Sequence, residues 1–155
     1  MAAFSVVVAT SRRFDSYGML DAGLLLVRTA GLLLAFTFGV QKIGWYVTAL
    51  HAGKPFSSIG LAPLIAHTGF PIPVIVALWI TLNESIGAFF VGIGFLTQFA
   101  AASLALGMIG ALYTSVQLHE DWLRAALYLI IFLGLTFTGA GKFSIDHLLG
   151  TRKSD

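Results

Sequence analysis

The chain has 155 residues, of which 57% are hydrophobic and only 10% are charged. Soluble domains carry about 25% charged residues, and a soluble protein of this size leaves roughly a third of its unfolded surface exposed to water, so this composition excludes a soluble protein and indicates an integral membrane protein. The absence of cysteine excludes disulfide exchange, thiolate catalysis and thiol-ligated metals, and a net charge of only +2 without a basic stripe argues against nucleic-acid binding.

Four apolar segments have about the length, roughly 20 residues, that a helix needs to cross the hydrocarbon core of a bilayer. They lie at residues 19–41, 71–96, 99–117 and 122–140. Short connections between the last three segments predict antiparallel neighbours. No repeat or linker divides the sequence, so we predict one all-α domain over residues 1–155, an integral membrane four-helix bundle.

The flanks of these segments predict an orientation. The first 18 residues do not form a signal peptide, because the short apolar stretch "AAFSVVVA" precedes Arg12 and Arg13. Basic residues favour the cytoplasmic side. Termini in the cytoplasm would place Arg12, Arg13, Lys142, Arg152 and Lys153 inside, and Lys42, Lys54 and Arg124 outside. We therefore predict a multi-pass protein of the cell inner (plasma) membrane with both termini cytoplasmic.

Residues 43–70 form a connection much longer than the others. Gly53, Pro55, Gly60 and Pro63 interrupt helix periodicity there, while several aromatic and aliphatic residues remain. This pattern predicts an extended, partly interfacial outer loop with a short helix around "IGLAPLIAH". Segments of this length without regular structure are uncommon and often functional.

Small residues lie along one face of two predicted spans. They recur four apart as Gly31, Ala35 and Gly39 in the first span and as Ser103, Gly107, Ala111 and Ser115 in the third. Small side chains let helix backbones approach closely, which favours helix association in lipid. We therefore predict a closely packed bundle.

Two ionisable residues lie at membrane depth, where a charge costs roughly 3 kcal/mol. These are Arg28 in the first span and Glu84 in the second. Their estimated depths are similar, so we predict that they face the bundle interior as an ion pair, directly or through water or the amide of Asn83. The pair has two interpretations: it fixes helix register, or it lines a polar pocket for a head group, an ion or a quinone carbonyl.

Gln41 and Lys42 end the first predicted span at the outer face. Lys42 has two interpretations as well. Its long side chain can extend to the lipid head groups, or its ammonium can lie over the mouth of a cavity shared with Glu84. The candidate pocket residues are therefore Arg28, Glu84, Lys42, Gln41 and Asn83.

Histidines at His51, His67 and His119 are predicted on the outer side, and Glu120 and Asp121 adjoin the last of them. Imidazole and carboxylate groups suit zinc or iron. Their spacing matches no metal-binding signature, so we predict no metal site.

The stretch "TGAGKFSID", residues 138–146, contains the glycine–lysine pair of a phosphate-binding loop. Such a loop needs a hydroxyl residue directly after the lysine, and this sequence has phenylalanine there. Gly139 and Gly141 instead favour a helix end, and Lys142 suits both a helix C-terminus and the inner head groups. Ser144 and Asp146 then fit the start of a short C-terminal interfacial helix.

Taken in chain order, these residues resemble the DoxX family of small four-span bacterial membrane proteins over about residues 24–146. The shared positions are Arg28 and "G-x-Q-K" at Gly39, Gln41 and Lys42; Glu84 ahead of Gly87, Gly92, Gly94 and Thr97; and the closing Gly139, Gly141, Lys142, Phe143, Ser144 and Asp146. The resemblance implies a four-helix membrane protein linked to oxidoreductase systems, and the namesake resembles a subunit of thiosulfate:quinone oxidoreductase. Relatives with cysteine-linked roles differ, since this chain has no cysteine.

Three functions remain as alternatives. The first is a quinone-associated or accessory subunit of a membrane redox complex, with a quinone as the cofactor and a pocket that opens to lipid. The second is a structural or assembly subunit with a packed bundle and no cavity. The third is a pathway for a small solute or ion. No nucleophile with its base is recognisable, so we expect no catalysis by the chain alone, and we expect as partners membrane lipid and other redox subunits or further copies of the chain.

Overall fold

The computed structural model describes the backbone of residues 2–151 and the side chains of residues 18–150. This part of the chain consists of helices and contains no strand. The helices are α1 (Ala2–Leu34), α2 (Val40–His51), α3 (Ala62–His67), α4 (Pro73–Leu82), α5 (Ala88–Ile93), α6 (Thr97–Gln117), α7 (Leu123–Thr138) and α8 (Ile145–Thr151). Short π-helical turns join α1 to α2 (Ala35–Gly39) and α4 to α5 (Asn83–Gly87), and a 3-10 turn lies at Phe56–Ser58.

Three helical stretches are long and apolar enough to cross a membrane. Gly18–His51 has 34 residues, and Pro73–Ile93 and Thr97–Gln117 have 21 each. The fourth apolar helix, Leu123–Thr138, has only 16, which corresponds to about 24 Å at about 1.5 Å per residue. We call these stretches spans one to four. The predicted all-α membrane bundle is confirmed.

The first helix is longer than predicted. It continues through "KIGWYVTALH" to His51, because no proline or helix-ending glycine precedes Gly53. The prediction that Gln41 and Lys42 end the span is therefore wrong. The outer loop is correspondingly shorter and contains the predicted short helix as α3. The turn between spans two and three lies at residues 94–96 rather than at "TQ".

Spans one and two are in backbone contact along their small-residue face. A Cβ atom added to Gly39 would lie 2.6 Å from the carbonyl oxygen of Glu84 and 2.6 Å from Cα of Ser85. One added to Gly31 would lie 2.6 Å from the carbonyl oxygen of Ala88. The two π turns meet at Gly39. The prediction that small residues bring span one close to a neighbour is therefore confirmed.

The small residues of span three have two different surroundings. At Ser103 the helix is bonded to span two, because Nδ2 of Asn83 donates to the Ser103 carbonyl oxygen at 2.8 Å. From Gly107 onward, at Ala111 and Ser115, the same face borders a cavity. Small side chains thus allow contact in one half of the helix and leave space in the other.

We call the end of the bundle that holds α8 the C-terminal end and the opposite end, which holds residues 52–72, the loop end. A hydrophobic core fills the bundle between them. Its most buried side chains include Leu34, Val91, Leu104, Phe132 and Leu135. Spans three and four contact each other extensively, whereas the loop half of span two packs on the outer loop. This arrangement leaves the cavity at the loop end.

Replacing Gly39 with alanine should destabilise the protein, because the added methyl group meets fixed backbone of span two; overpacking of this kind costs about 1–3 kcal/mol. The matched control is Gly44→Ala in the same span, since nothing lies within 4 Å of a Cβ atom there. Apparent melting temperatures in detergent should fall for the first variant only. Equal melting temperatures would contradict the contact.

Candidate functional site

A cavity of about 690 Å³ lies between the four spans and the outer loop. Most of its wall is aliphatic or aromatic. Polar and charged groups are few there, and they are Lys42, Glu84, Thr114, Ser115, Glu120, Asp121, Arg124 and the aromatic alcohols Tyr113 and Tyr128. Ligand sites are typically about 300–1,000 Å³ and apolar with a few placed polar groups. Both the size and the lining therefore suit an organic ligand.

An ion pair between Lys42 and Glu84 lies in the cavity wall. Nζ of Lys42 bonds to Oε2 of Glu84, and the two side chains are 12% and 9% exposed. Both charges are thus largely removed from bulk water, at a cost that their mutual contact offsets in part. The predicted pairing of Glu84 with Arg28 is wrong. Lys42 also does not extend out of the bundle, because its Nζ is bonded to Glu84 inside it.

The two π turns set the positions of these charges. Glu84 lies inside the second π turn, and Lys42 lies three residues after the first. A π turn adds a residue to the helix, which rotates the remainder of the helix by about 100° relative to a continuous α-helix. Such turns are frequent at functional sites. In both helices the π turn changes the direction of the following side chains, and it does so close to where Lys42 and Glu84 face each other.

Charged groups also lie where the cavity meets the loop end. Glu120 and Asp121 are in the turn between spans three and four, and Arg124 is in the first turn of α7. The guanidinium of Arg124 lies 5.2 Å from the ring centroid of Phe38, in a cation–π contact between spans four and one. The cavity thus extends from a buried ion pair to an exposed charged rim.

Arg28 lies outside this cavity, near the C-terminal end. It is 1% exposed, and its Nη2 donates to the carbonyl oxygen of Phe143. Its Nε and Nη1 have no hydrogen-bond partner among the described residues. A Cβ atom at Gly94 would lie only 1.9 Å from Nη1, so this position needs glycine. Arg28 therefore holds the segment after span four against span one.

The segment after span four, residues 139–146, makes further contacts across the C-terminal end. Both carboxylate oxygens of Asp146 accept backbone hydrogen bonds at the start of α6, from Leu96 at 2.7 Å and from Thr97 at 2.9 Å. The Asp146 N–H donates to the Gly94 carbonyl oxygen at 2.8 Å. The carboxylate thus caps span three from a distant part of the sequence. We call residues 139–146 the C-terminal clasp.

The clasp has the predicted local structure. Gly139 and Gly141 both have φ of +73°, and Ser144 Oγ accepts a hydrogen bond from the His147 N–H at the start of α8. The Lys142 N–H donates to Asp21 of span one at 3.0 Å. The contacts of the clasp with span one, with Gly94 and with the start of α6 were not predictable from local sequence.

The predicted pocket residues therefore separate into groups. Lys42 and Glu84 line the cavity, Asn83 bonds span two to span three beside it, and Gln41 is on the exposed surface. Arg28 lies outside the cavity and bonds to the clasp. Sequence reasoning missed Arg124 as a cavity residue, because its place next to a short turn indicated only a loop charge.

Metal binding finds no support among the described residues. No three of their histidine, aspartate or glutamate side chains are grouped so that they could hold an ion. His51 and His119 each contact a backbone carbonyl of their own helix end instead.

Removing the carboxylate of Asp146 should destabilise the bundle, because two backbone N–H groups of span three lose their acceptor; a lost N-cap costs about 1 kcal/mol. The control is Asp121→Ala, which removes one exposed bond to the Leu123 N–H at 3.0 Å. Melting in detergent should show a larger loss for Asp146→Ala. A larger loss for the control would refute the assigned cap.

The Lys42–Glu84 pair can be tested with a double-mutant cycle. Lys42→Met or Glu84→Gln alone leaves one buried charge unpaired, at an expected cost of about 3–5 kcal/mol. The double variant leaves neither charge and should be more stable than either single variant. Unfolding in detergent measures all four proteins, and additive losses would show that the two groups do not interact.

Comparison with known proteins places the chain among membrane proteins of one family. No curated protein sequence and no solved structure shows significant similarity to it. Residues 42–155, which include Lys42, Glu84 and the whole clasp, match the family described as "TQO small subunit DoxD". The match covers well over half of the chain, and it agrees with the resemblance to DoxX-like proteins. The chain belongs to the DoxD family.

Proposed function

We propose that this protein is the quinone-binding membrane subunit of an oxidoreductase complex. The observation that carries the proposal is the Lys42–Glu84 ion pair in the wall of an otherwise apolar cavity. A quinone has an apolar ring and tail and two carbonyl oxygens. It therefore needs an apolar space with a hydrogen-bond donor at one place.

The cavity fits these needs. Lys42 carries three N–H donors, and one of them is used in its hydrogen bond to Glu84, so a donor remains for a carbonyl oxygen. The aromatic rings of Phe38, Trp79 and Tyr128 line the same space and suit a planar ring. A quinone bound there would accept two electrons and two protons.

The family description supports the same role. It names a small subunit of TQO, which we read as thiosulfate:quinone oxidoreductase. A small subunit implies other subunits, and we propose that one of them holds the electron donor. The subunit would lie in the inner membrane with both termini cytoplasmic.

The two other functions have less support. A purely structural subunit is expected to have no cavity, whereas a cavity of about 690 Å³ lies between the spans. A solute pathway requires an opening at both ends. The Asn83–Ser103 bond and the C-terminal clasp close the bundle on the side away from the loop.

Quinone binding can be measured by fluorescence, because quinones quench tryptophan and Trp79 lines the cavity. Titration of the detergent-solubilised protein with decylubiquinone should quench its emission, and a Trp79→Phe variant should lose most of the effect. Ala111→Phe fills the cavity and should weaken binding by about tenfold or more, since each 1.4 kcal/mol changes affinity tenfold.

Ala102→Phe is the matched control, because Ala102 is on the exposed side of the same helix. It should bind decylubiquinone as the unchanged protein does. The proposal fails if the unchanged protein shows no saturable quenching, or if Ala102→Phe and Ala111→Phe weaken binding equally.

A further inference from the structure

We propose that the Lys42–Glu84 pair transfers the protons that accompany interconversion of quinone and quinol in the cavity. This inference rests on the proposed function and adds a role for two residues. The pair is in contact, mostly buried, and in the wall of the cavity that would hold the ring. Its two members are the kinds of group that donate and accept protons.

Reduction of the bound quinone balances in atoms and charge. One quinone, two electrons and two protons give one quinol: two O–H bonds form, and two C=O bonds become single as the ring becomes aromatic. A reduced cofactor on a partner subunit supplies the electrons. Water at the loop end supplies the protons. The chain's part is to bring each proton from that water to a ring oxygen.

Lys42 is the immediate donor in this scheme. Its ammonium is in the cavity wall, and electron arrival makes a ring oxygen more basic. When Lys42 gives up a proton, the pair changes from net neutral to net negative. A net charge at membrane depth is costly. The pair is therefore driven to take up another proton, which Glu84 receives and passes to Lys42. This restores the ion pair, and a second round supplies the proton for the other ring oxygen.

The cavity also connects the pair with water. Glu120 and Asp121 line it at the loop end, and the hydroxyl groups of Thr114 and Ser115 lie in the same wall. Carboxylates at the rim can pass protons from bulk water into the cavity. On the other side of the pair lie the hydrophobic core and, at the C-terminal end, the clasp with its bonds to the start of span three.

Other ionisable groups border the same cavity. Within the described lining they are Tyr113 from α6, Glu120 and Asp121 from the turn, and Arg124 and Tyr128 from α7. Arginine cannot be deprotonated in proteins, so Arg124 takes no part in the transfer. Lys42 and Glu84 are in direct contact with each other, and the two rim carboxylates lie toward the loop end, so these four groups make up the proposed route.

The test uses the full chain in detergent with bound decylubiquinone, reduced by a light pulse through a soluble flavin. Quinone absorbance reports the electrons, and an indicator dye reports proton uptake. In the unchanged protein the two signals should coincide. In Glu84→Gln, proton uptake should lag by about 10²-fold, the lower end of what a positioned acid–base group contributes. Glu84→Asp should restore part of the rate.

The double variant Lys42→Met/Glu84→Gln keeps the test informative if the single variant does not fold, since it leaves no unpaired charge. It should show the same lag once enough decylubiquinone is added to saturate it, because loss of the Lys42 donor is expected to weaken binding. Lys54→Met is the control, because Lys54 is exposed on the outer loop and does not line the cavity. It should behave as the unchanged protein.

Two failures are distinguishable. If decylubiquinone does not quench the unchanged protein, the proposed function is wrong. If it binds to both the unchanged protein and the double variant, and the two signals still coincide in the double variant, quinone binding stands and the proton-transfer role is refuted.

Discussion

The hydrogen bond from Arg28 to the carbonyl oxygen of Phe143 joins the first span to the last part of the chain. It fixes the clasp, and the clasp in turn brings Asp146 to the start of span three. One buried guanidinium thus links the ends of three spans. With that end closed, the other half of the bundle can remain open around a cavity without loss of the fold.

The two charges at membrane depth, Arg28 and Glu84, therefore have different roles. Arg28 bonds to backbone, is buried and packs directly against Gly94. Glu84 has both a charged partner and a neighbouring cavity. A charge in a membrane span often indicates a function. An open space beside the charge distinguishes a candidate for chemistry from a charge with a structural role.

Composition and segment length were sufficient to predict the membrane bundle, and the spacing of Gly31 and Gly39 predicted the contact between spans one and two. The ion pair was assigned wrongly for a physical reason. Depth was estimated from residue number, but the π turns rotate the helices and the clasp supplies a remote carbonyl to Arg28. Neither effect has a strong local signal. The sequence after Lys42 is compatible with a continuing helix. This was a sign that Lys42 does not lie at the membrane interface.

The fourth span, at about 24 Å, is shorter than the roughly 30 Å of hydrocarbon in a typical bilayer. A short helix is accommodated in part by local thinning of the lipid. One end of this span lies beside Glu120 and Arg124, where the cavity reaches the loop end. Thinning at that end would bring lipid head groups and water closer to the charged rim of the cavity, so hydrophobic mismatch would raise the polarity around this rim.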